Sequence, residues 1–318
     1  MRYRSLGSSG LQVSAVGLGC NNFGRRLDVN GTRAVIDAAI EAGITLFDTA
    51  DIYGGHGASE SVMGEVLGPR RDQIVLATKW GNQNADMGYG PAAGAKGGRA
   101  YLKRAVTESL RRLRTDHIDL YQLHTPDPHT PIDETILALD ELISEGKVRY
   151  IGHSNFSGWR LADADHVARA LGRNRFISAQ NEWSLLDRAA EADVVPAARN
   201  FGLGVLPFYP LANGLLTGKV RRGQEVPAGT RLAERTSYIT DEKLDRVEAL
   251  IEWAESQGAS ILEVAIGGLA ALPGCASVIA GATSPEQVKA NAAAGDWIPT
   301  EDQLAELDKI VPPPSAGR

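Results

Sequence analysis

The run Ile74-Val75-Leu76-Ala77-Thr78-Lys79 decides the fold. Four apolar residues in succession, without polar alternation, suit a strand buried on both faces, as in a parallel sheet covered by helices. The run ends on a cation, so a buried strand delivers a charged group at its carboxyl end. Outward in both directions the same short apolar runs recur, at Val13–Leu18, Thr45–Phe47, Ile118–Leu123, Val148–Gly152, Phe176–Gln180, Gly204–Pro207 and Ser277–Ala280. Helical patterns lie between them. Val35, Ile36, Ala39 and Ile40 share one helix face, as do Leu102, Val106, Leu110 and Leu113. Thr130-Pro131-Ile132-Asp133 marks a helix start with a capping residue and then Pro in the first turn. Ser284-Pro285-Glu286-Gln287 and Thr300-Glu301-Asp302-Gln303 read as capping boxes.

Strand and helix alternating in this way implies a closed barrel or an open doubly wound sheet. Eight repeats and polar residues at many strand ends favour the barrel. The expected architecture is an α/β fold, a (β/α)8 TIM barrel with an N-terminal β-hairpin at Arg2–Val13 and an extra C-terminal helix, forming one domain over residues 1–318. Gly81–Gly98 and Leu215–Tyr238 fall outside the repeat as long loops, which in compact domains are often functional.

Composition narrows the functions. Lys and Arg total 33 against 39 Asp and Glu, a net charge of −6, which argues against general nucleic-acid binding. No stretch approaches the ~20 uninterrupted apolar residues of a membrane span. The start, MRYRSLGSSG, has no apolar signal core. Cys20 and Cys275 form neither a metal-ligand spacing nor a disulfide framework, so a reduced, cytoplasmic setting is expected. None of the six histidines forms H-x-H or H-E-x-x-H, so no metal site is expected. Gly17-Leu18-Gly19-Cys20-Asn21-Asn22 misses G-x-G-x-x-G at its last position, and Gly218-Lys219-Val220 lacks the hydroxyl residue of a P-loop. A nucleotide bound here would be held by neither loop type.

In a β/α barrel, chemistry gathers at the carboxyl ends of the strands. Those ends carry Asp48 and Tyr53 (FDTADIYG), Lys79 (ATKWG) and His124 (YQLHTPD). Together the four suit carbonyl reduction by hydride transfer, in which an acid must supply a proton to the developing alkoxide. Tyr53 is the candidate acid. Its reference pKa of about 10 is high, and Lys79 as a neighbouring cation is expected to lower it. At ~4 Å the attraction is about 1 kcal/mol in water but about 4 kcal/mol at an effective dielectric of about 20, so the pairing requires a partly buried pocket. Asp48 would hold Lys79 charged and in place, and His124 would orient and polarise the carbonyl oxygen.

These segments, with IGHSNFSGW, AQNEWSLL, PFYPLANGLLTGK and IAGATSPEQ, fall in the order and spacing of the aldo-keto reductases, which the chain resembles over nearly its whole length. The resemblance implies that Asp48, Tyr53, Lys79 and His124 are a catalytic tetrad. It also implies an extended NADPH across the barrel mouth without a Rossmann unit. Ser154, Asn155 and Gln180 would meet the nicotinamide carboxamide, whose donor and acceptor edges suit amide side chains. Phe208 would stack under the ring. Tyr209 stands where many relatives have Ser. Gly19 and Asn21 at the first strand and Pro210 after the seventh are further expected cofactor contacts, and Leu211, Gly218 and Lys219 belong to the loop expected to cover the pyrophosphate. Gly281, Thr283, Gln287 and Asn291 face the adenosine phosphate, beside a helix N-terminus.

Some branches carry Lys or Arg in this last loop to grip a 2′-phosphate; here Gly281, Ala282 and Gln287 stand there, and Arg231 or Lys219 is left to supply charge. NADPH is expected over NADH, with NADH as the alternative. The expected partner is a small-molecule carbonyl compound, met by Tyr53, Trp80, Tyr89 and His124. Two other readings stand open beside this one: a Schiff-base aldolase through Lys79, and an NADP-binding redox-sensing regulatory subunit with slow turnover, like the potassium-channel β-subunits that share much of the pattern.

Overall fold

The computed structural model describes residues 1–314, so the last four residues of the expected domain lie outside it. The chain opens with an antiparallel hairpin, β1 (Tyr3–Ser5) and β2 (Gln12–Ser14). Eight parallel strands follow: β3 (Val16–Gly19), β4 (Leu46–Asp48), β5 (Val75–Trp80), β6 (Ile118–Leu123), β7 (Val148–Ser154), β8 (Ser178–Gln180), β9 (Gly204–Val205) and β10 (Val278–Gly281). They run in the order β10-β3-β4-β5-β6-β7-β8-β9. The two ends of this sheet meet, because the Ala276 N–H donates to the Val205 carbonyl at 2.8 Å and the Ile279 N–H to the Pro207 carbonyl at 3.0 Å. The sheet is therefore a barrel, wrapped by helices such as Val29–Glu41, Arg99–Leu113 and Ile132–Ser144. Pro285–Ala294 follows the last strand, and Glu301–Ile310 is the additional C-terminal helix.

Apolar packing divides by face. Inside the lower barrel, Leu46, Ala77, Leu120, Leu206 and Ile279 pack with Leu6 and Val13 of the hairpin, which plugs that end. The larger cores lie between the strands and their helices. The upper interior is polar, and this is where the site forms.

Several local expectations are corrected. Val13 belongs to the hairpin, and the first barrel strand begins only at Val16, because the chain turns at Ala15 between them. Thr130 does not cap its helix; its hydroxyl donates to Asp127, and Pro131 occupies the cap position before Ile132–Ser144. The Thr300–Gln303 capping box is complete. The Ser284 box is only half formed: Ser284 accepts from the Gln287 N–H, but the Gln287 side chain turns to the Thr283 N–H at 2.8 Å. Among the described residues no helix is long and apolar enough to cross a membrane.

Candidate active site

Register brings the tetrad together. Asp48 ends β4 and pairs with Gly19 and Ala77, while Lys79 on β5 pairs with Gln122 on β6. The His124 N–H donates to the Trp80 carbonyl, which fixes it one residue past β6. Tyr53 hangs on the loop after β4, where Gly54 turns with φ +75°; a Cβ there would stand 2.9 Å from the Phe23 carbonyl oxygen, so only glycine fits the turn.

The Lys79 ammonium is fully buried and has three partners. Its Nζ donates to Asp48 Oδ2 at 2.6 Å, to the Thr49 carbonyl at 2.9 Å and to the Tyr53 phenol oxygen at 3.3 Å. Burial alone would lower its pKa, but Asp48 and Tyr53 outweigh that and leave it raised, so Lys79 stays charged. His124 lies edge-on to Tyr53, with ring centroids 5.8 Å apart. Burial, with the nearby Lys79 charge, pushes its pKa down to about 3, so the imidazole is neutral near pH 7. Its Nδ1 is buried without a partner among the described residues. A neutral imidazole carries one N–H that can donate a hydrogen bond.

The Tyr53 phenol departs from expectation. Lys79 does pull its pKa down, but burial pushes harder, and Asp48 adds to the rise, so the net shift is upward. Burial, together with the Asp48 charge, outweighs the stabilisation that the ammonium gives a phenolate. Tyr53 therefore rests as a protonated phenol with a cation already in contact.

Above the tetrad lies a cavity of about 660 Å³. Of the residues singled out in the sequence, Gly19, Asn21, Asp48, Tyr53, His124, Ser154, Asn155, Gln180, Phe208, Pro210, Leu211, Lys219, Arg231, Gly281, Thr283, Gln287 and Asn291 line it, as does Tyr209. Lys79 sits beneath its floor, fully buried. Gly218 lies beside the cavity, at φ +72°, without lining it. The two aromatic residues expected at the substrate do not line it. Trp80 follows Lys79 on β5, and strand alternation turns its side chain outward; it stacks on Tyr121 at 4.4 Å and donates to the Lys96 carbonyl. Tyr89 packs on Tyr101 at 5.1 Å under the Arg104 guanidinium.

The polar lining is arranged in pairs. Ser154 Oγ donates to the Gln180 carbonyl, and Asn155, held at φ +61°, donates to the His124 carbonyl and Ser154 Oγ. Tyr209 and Asn213, also in the left-handed region, edge the mouth, and such strained residues cluster at functional sites. Arg231 reaches over the Tyr209 ring at 5.4 Å and lies 3.5 Å from Asn21 Oδ1. It has no carboxylate partner among the described residues, and burial, with Arg26, Arg235 and Arg25 nearby, lowers its pKa. Sequence reading passed over Gln122, whose amide reaches Asp48, and Arg26, which lines the cavity and pairs with Glu234. Gln122 was readable, since it stands in register with Lys79 and two residues before His124. Among the described residues, no group of three or more His, Cys, Asp or Glu is arranged to hold a metal ion.

The model of the aldo/keto reductase family matches residues 15–312. The chain belongs to the aldo/keto reductase family. Curated relatives align over nearly their whole length. An uncharacterized oxidoreductase, YrpG, of Bacillus subtilis is 38% identical over 321 residues, covering 99% of this chain and 97% of the relative. A probable voltage-gated potassium channel subunit beta of Oryza sativa is 35% identical, covering 98% and 97%. The L-glyceraldehyde 3-phosphate reductase of Escherichia coli is 32% identical, covering 98% and 92%. The chain is thus an oxidoreductase-family barrel whose polar strand ends converge on one cavity.

Proposed function

We propose that this chain is an NADP-dependent carbonyl reductase that converts an aldehyde or ketone to an alcohol, with Tyr53 as general acid. The observation that carries the reading is the Tyr53 phenol in hydrogen-bond contact with the buried, charged Lys79, next to the neutral His124 ring. The lining of the cavity supports a dinucleotide: amides at Asn155 and Gln180, an aromatic face at Phe208, and Arg231, which has no carboxylate partner among the described residues. When bound, the reduced nicotinamide supplies a hydride to the carbonyl carbon. The carbonyl oxygen would lie between Tyr53 and His124. His124 donates a hydrogen bond to it. Tyr53 releases its phenol proton to the same oxygen as negative charge builds there, and Lys79 stabilises the phenolate left behind. Asp48 keeps the ammonium charged through the step. Arg231 and Lys219 are the cations available to cofactor phosphates, which favours NADPH over NADH.

Against a Schiff-base aldolase, Lys79 is held as an ammonium with its protons engaged by Asp48, Thr49 and Tyr53, whereas imine formation needs a free neutral amine. A regulatory subunit is the second reading, favoured by relatives named as potassium-channel β-subunits. His124 in contact with Tyr53 favours turnover. Oxidation of NADPH and of NADH, followed by absorbance against a panel of aldehydes, ketones, quinones and a phosphorylated aldehyde, tests the reading. Turnover with at least one carbonyl and a preference for NADPH is expected. Tight cofactor binding without turnover on any member would favour the regulatory subunit.

A further inference from the structure

Two amide side chains enter the barrel interior beside the tetrad, and the proton-transfer chemistry above leaves one of them without a role. Gln122 is completely buried, and Gln180 nearly so. Both turn their Nε2 toward the same atom: Gln122 donates to Asp48 Oδ1 at 3.2 Å and Gln180 at 2.9 Å. Gln180 also lies 3.3 Å from Gln122 Oε1, so the amides brace each other. The opposite oxygen, Oδ2, accepts from Lys79 at 2.6 Å. The carboxylate is thus held at both ends, with amides on one oxygen and the ammonium on the other.

The strands fix Gln122 in this pose. It is the register partner of Lys79 on one side and of Gly152 on the other. A Cβ at Gly152 would fall 2.1 Å from Ser178 Oγ and 3.2 Å from Gln122 Cγ, so glycine there leaves room for the glutamine chain to cross the lumen.

We propose that Gln122 is a positioning residue for proton delivery: with Gln180 it clamps one oxygen of Asp48, so that the other is held on Lys79 and the ammonium is held against the Tyr53 phenol. The inference rests on the reading of Tyr53 as proton donor. Its physical basis has two parts. A carboxylate gripped at one oxygen only can rotate and draw Lys79 with it, and the second grip removes that freedom. The amide protons also offset part of the Asp48 charge, which opposes Lys79 at the phenol.

Two variants test this. Gln122→Met keeps the length and apolar body of the side chain but has no donor. Gln122→Glu is nearly isosteric and donates only while its carboxyl is protonated, so it keeps the test open if the Met variant fails to fold. The readout besides turnover is the phenol carbon-13 resonance of Tyr53 without cofactor, assigned by its loss in Tyr53→Phe. In Gln122→Met that resonance is expected to move while those of the other seven of the eight tyrosines hold still. Its kcat should fall about tenfold, as loss of a hydrogen bond to a charged group implies, with KM for the carbonyl within about twofold. Gln122→Glu should recover kcat as pH falls, a dependence that loss of packing would not produce. An unmoved Tyr53 resonance with wild-type kcat in folded Gln122→Met, or a wild-type pH profile in Gln122→Glu, overturns the positioning role and leaves carbonyl reduction standing. A Tyr53→Phe protein as active as the wild type overturns the proton-donor reading instead, and the role of Gln122 with it.

Discussion

Lys79 Nζ stands 3.3 Å from the Tyr53 phenol oxygen, although the two residues come from different β/α units and the phenol rides on a loop. The contact exists because Asp48, at the end of β4 just before the Tyr53 loop, anchors the ammonium from the neighbouring strand β5. Replacing Lys79 with Met removes the buried cation that touches the phenol. Turnover is expected to fall by about 10³, within the range of general acid–base contributions. The variant also leaves Asp48 buried without its counter-charge, which should lower stability by roughly 3–5 kcal/mol. Steady-state kinetics and denaturant unfolding check both. An active, equally stable variant would count against the ion pair.

Arg231 lines the cavity and has no carboxylate partner among the described residues, which leaves it available for phosphate. Arg231→Ala is expected to weaken NADPH binding about 10- to 100-fold, as loss of charge-assisted hydrogen bonds implies, while NADH binding changes little. Fluorescence titration with both cofactors measures this. Equal losses for the two would assign Arg231 to the shared pyrophosphate rather than to the 2′-phosphate.

A buried acid lies behind the site. Neither oxygen of the Asp51 carboxyl has a hydrogen-bond partner among the described residues, and burial, with Glu60 nearby, raises its pKa to about 8 against the partial relief of Arg112. A carboxyl raised in the fold binds its proton more tightly there than in the unfolded chain. Its contribution is intact at acid pH and is lost as pH climbs from 3.8 through about 8. Asp51→Asn should therefore gain on the wild type across that window, by up to roughly 4 kcal/mol at pH 7. Thermal unfolding of both proteins against pH reads the difference. A gap that stays constant with pH would refute the assignment.

His153 has the opposite sign. Its ring stacks on Phe156 at 4.3 Å, neither nitrogen has a partner among the described residues, and burial pushes its pKa down to about 3. Such a base stabilises the fold above its unfolded pKa of about 6.5 and loses that contribution as pH falls toward 3. His153→Phe keeps the aromatic stack and removes the titration. At pH 4.5 it should outlast the wild type by roughly 2–3 kcal/mol, with parity near pH 8. His124 titrates in the same direction, so some acid sensitivity should remain. An unchanged acid limb in His153→Phe would show that the ring is not the group responsible.

How legible this was varies with the kind of fact. The barrel could be read because strands buried on both faces leave runs such as Ile74–Ala77, and because polar groups follow those runs at regular intervals. The convergence of Asp48, Lys79 and His124 was legible for the same reason, since a residue at a strand end is placed by topology alone. Trp80 was misassigned by neighbourhood: it adjoins Lys79 in sequence, but alternation sends the two to opposite faces of the wall. Gln122 was missed although the same alternation points it inward. The upward shift of Tyr53 could not be read at all. The cation that lowers it is visible in the sequence, whereas the burial that outweighs it depends on how closely the surrounding loops pack.

The most direct measurement is single-turnover reduction by Tyr53→Phe with NADPH and a carbonyl accepted by the wild type, alongside the affinity of the variant for NADPH. Removing one phenol oxygen should slow the step by 10² or more while leaving cofactor affinity within about threefold. A wild-type rate in that variant, with cofactor bound normally, would contradict the assignment of Tyr53 as the proton donor.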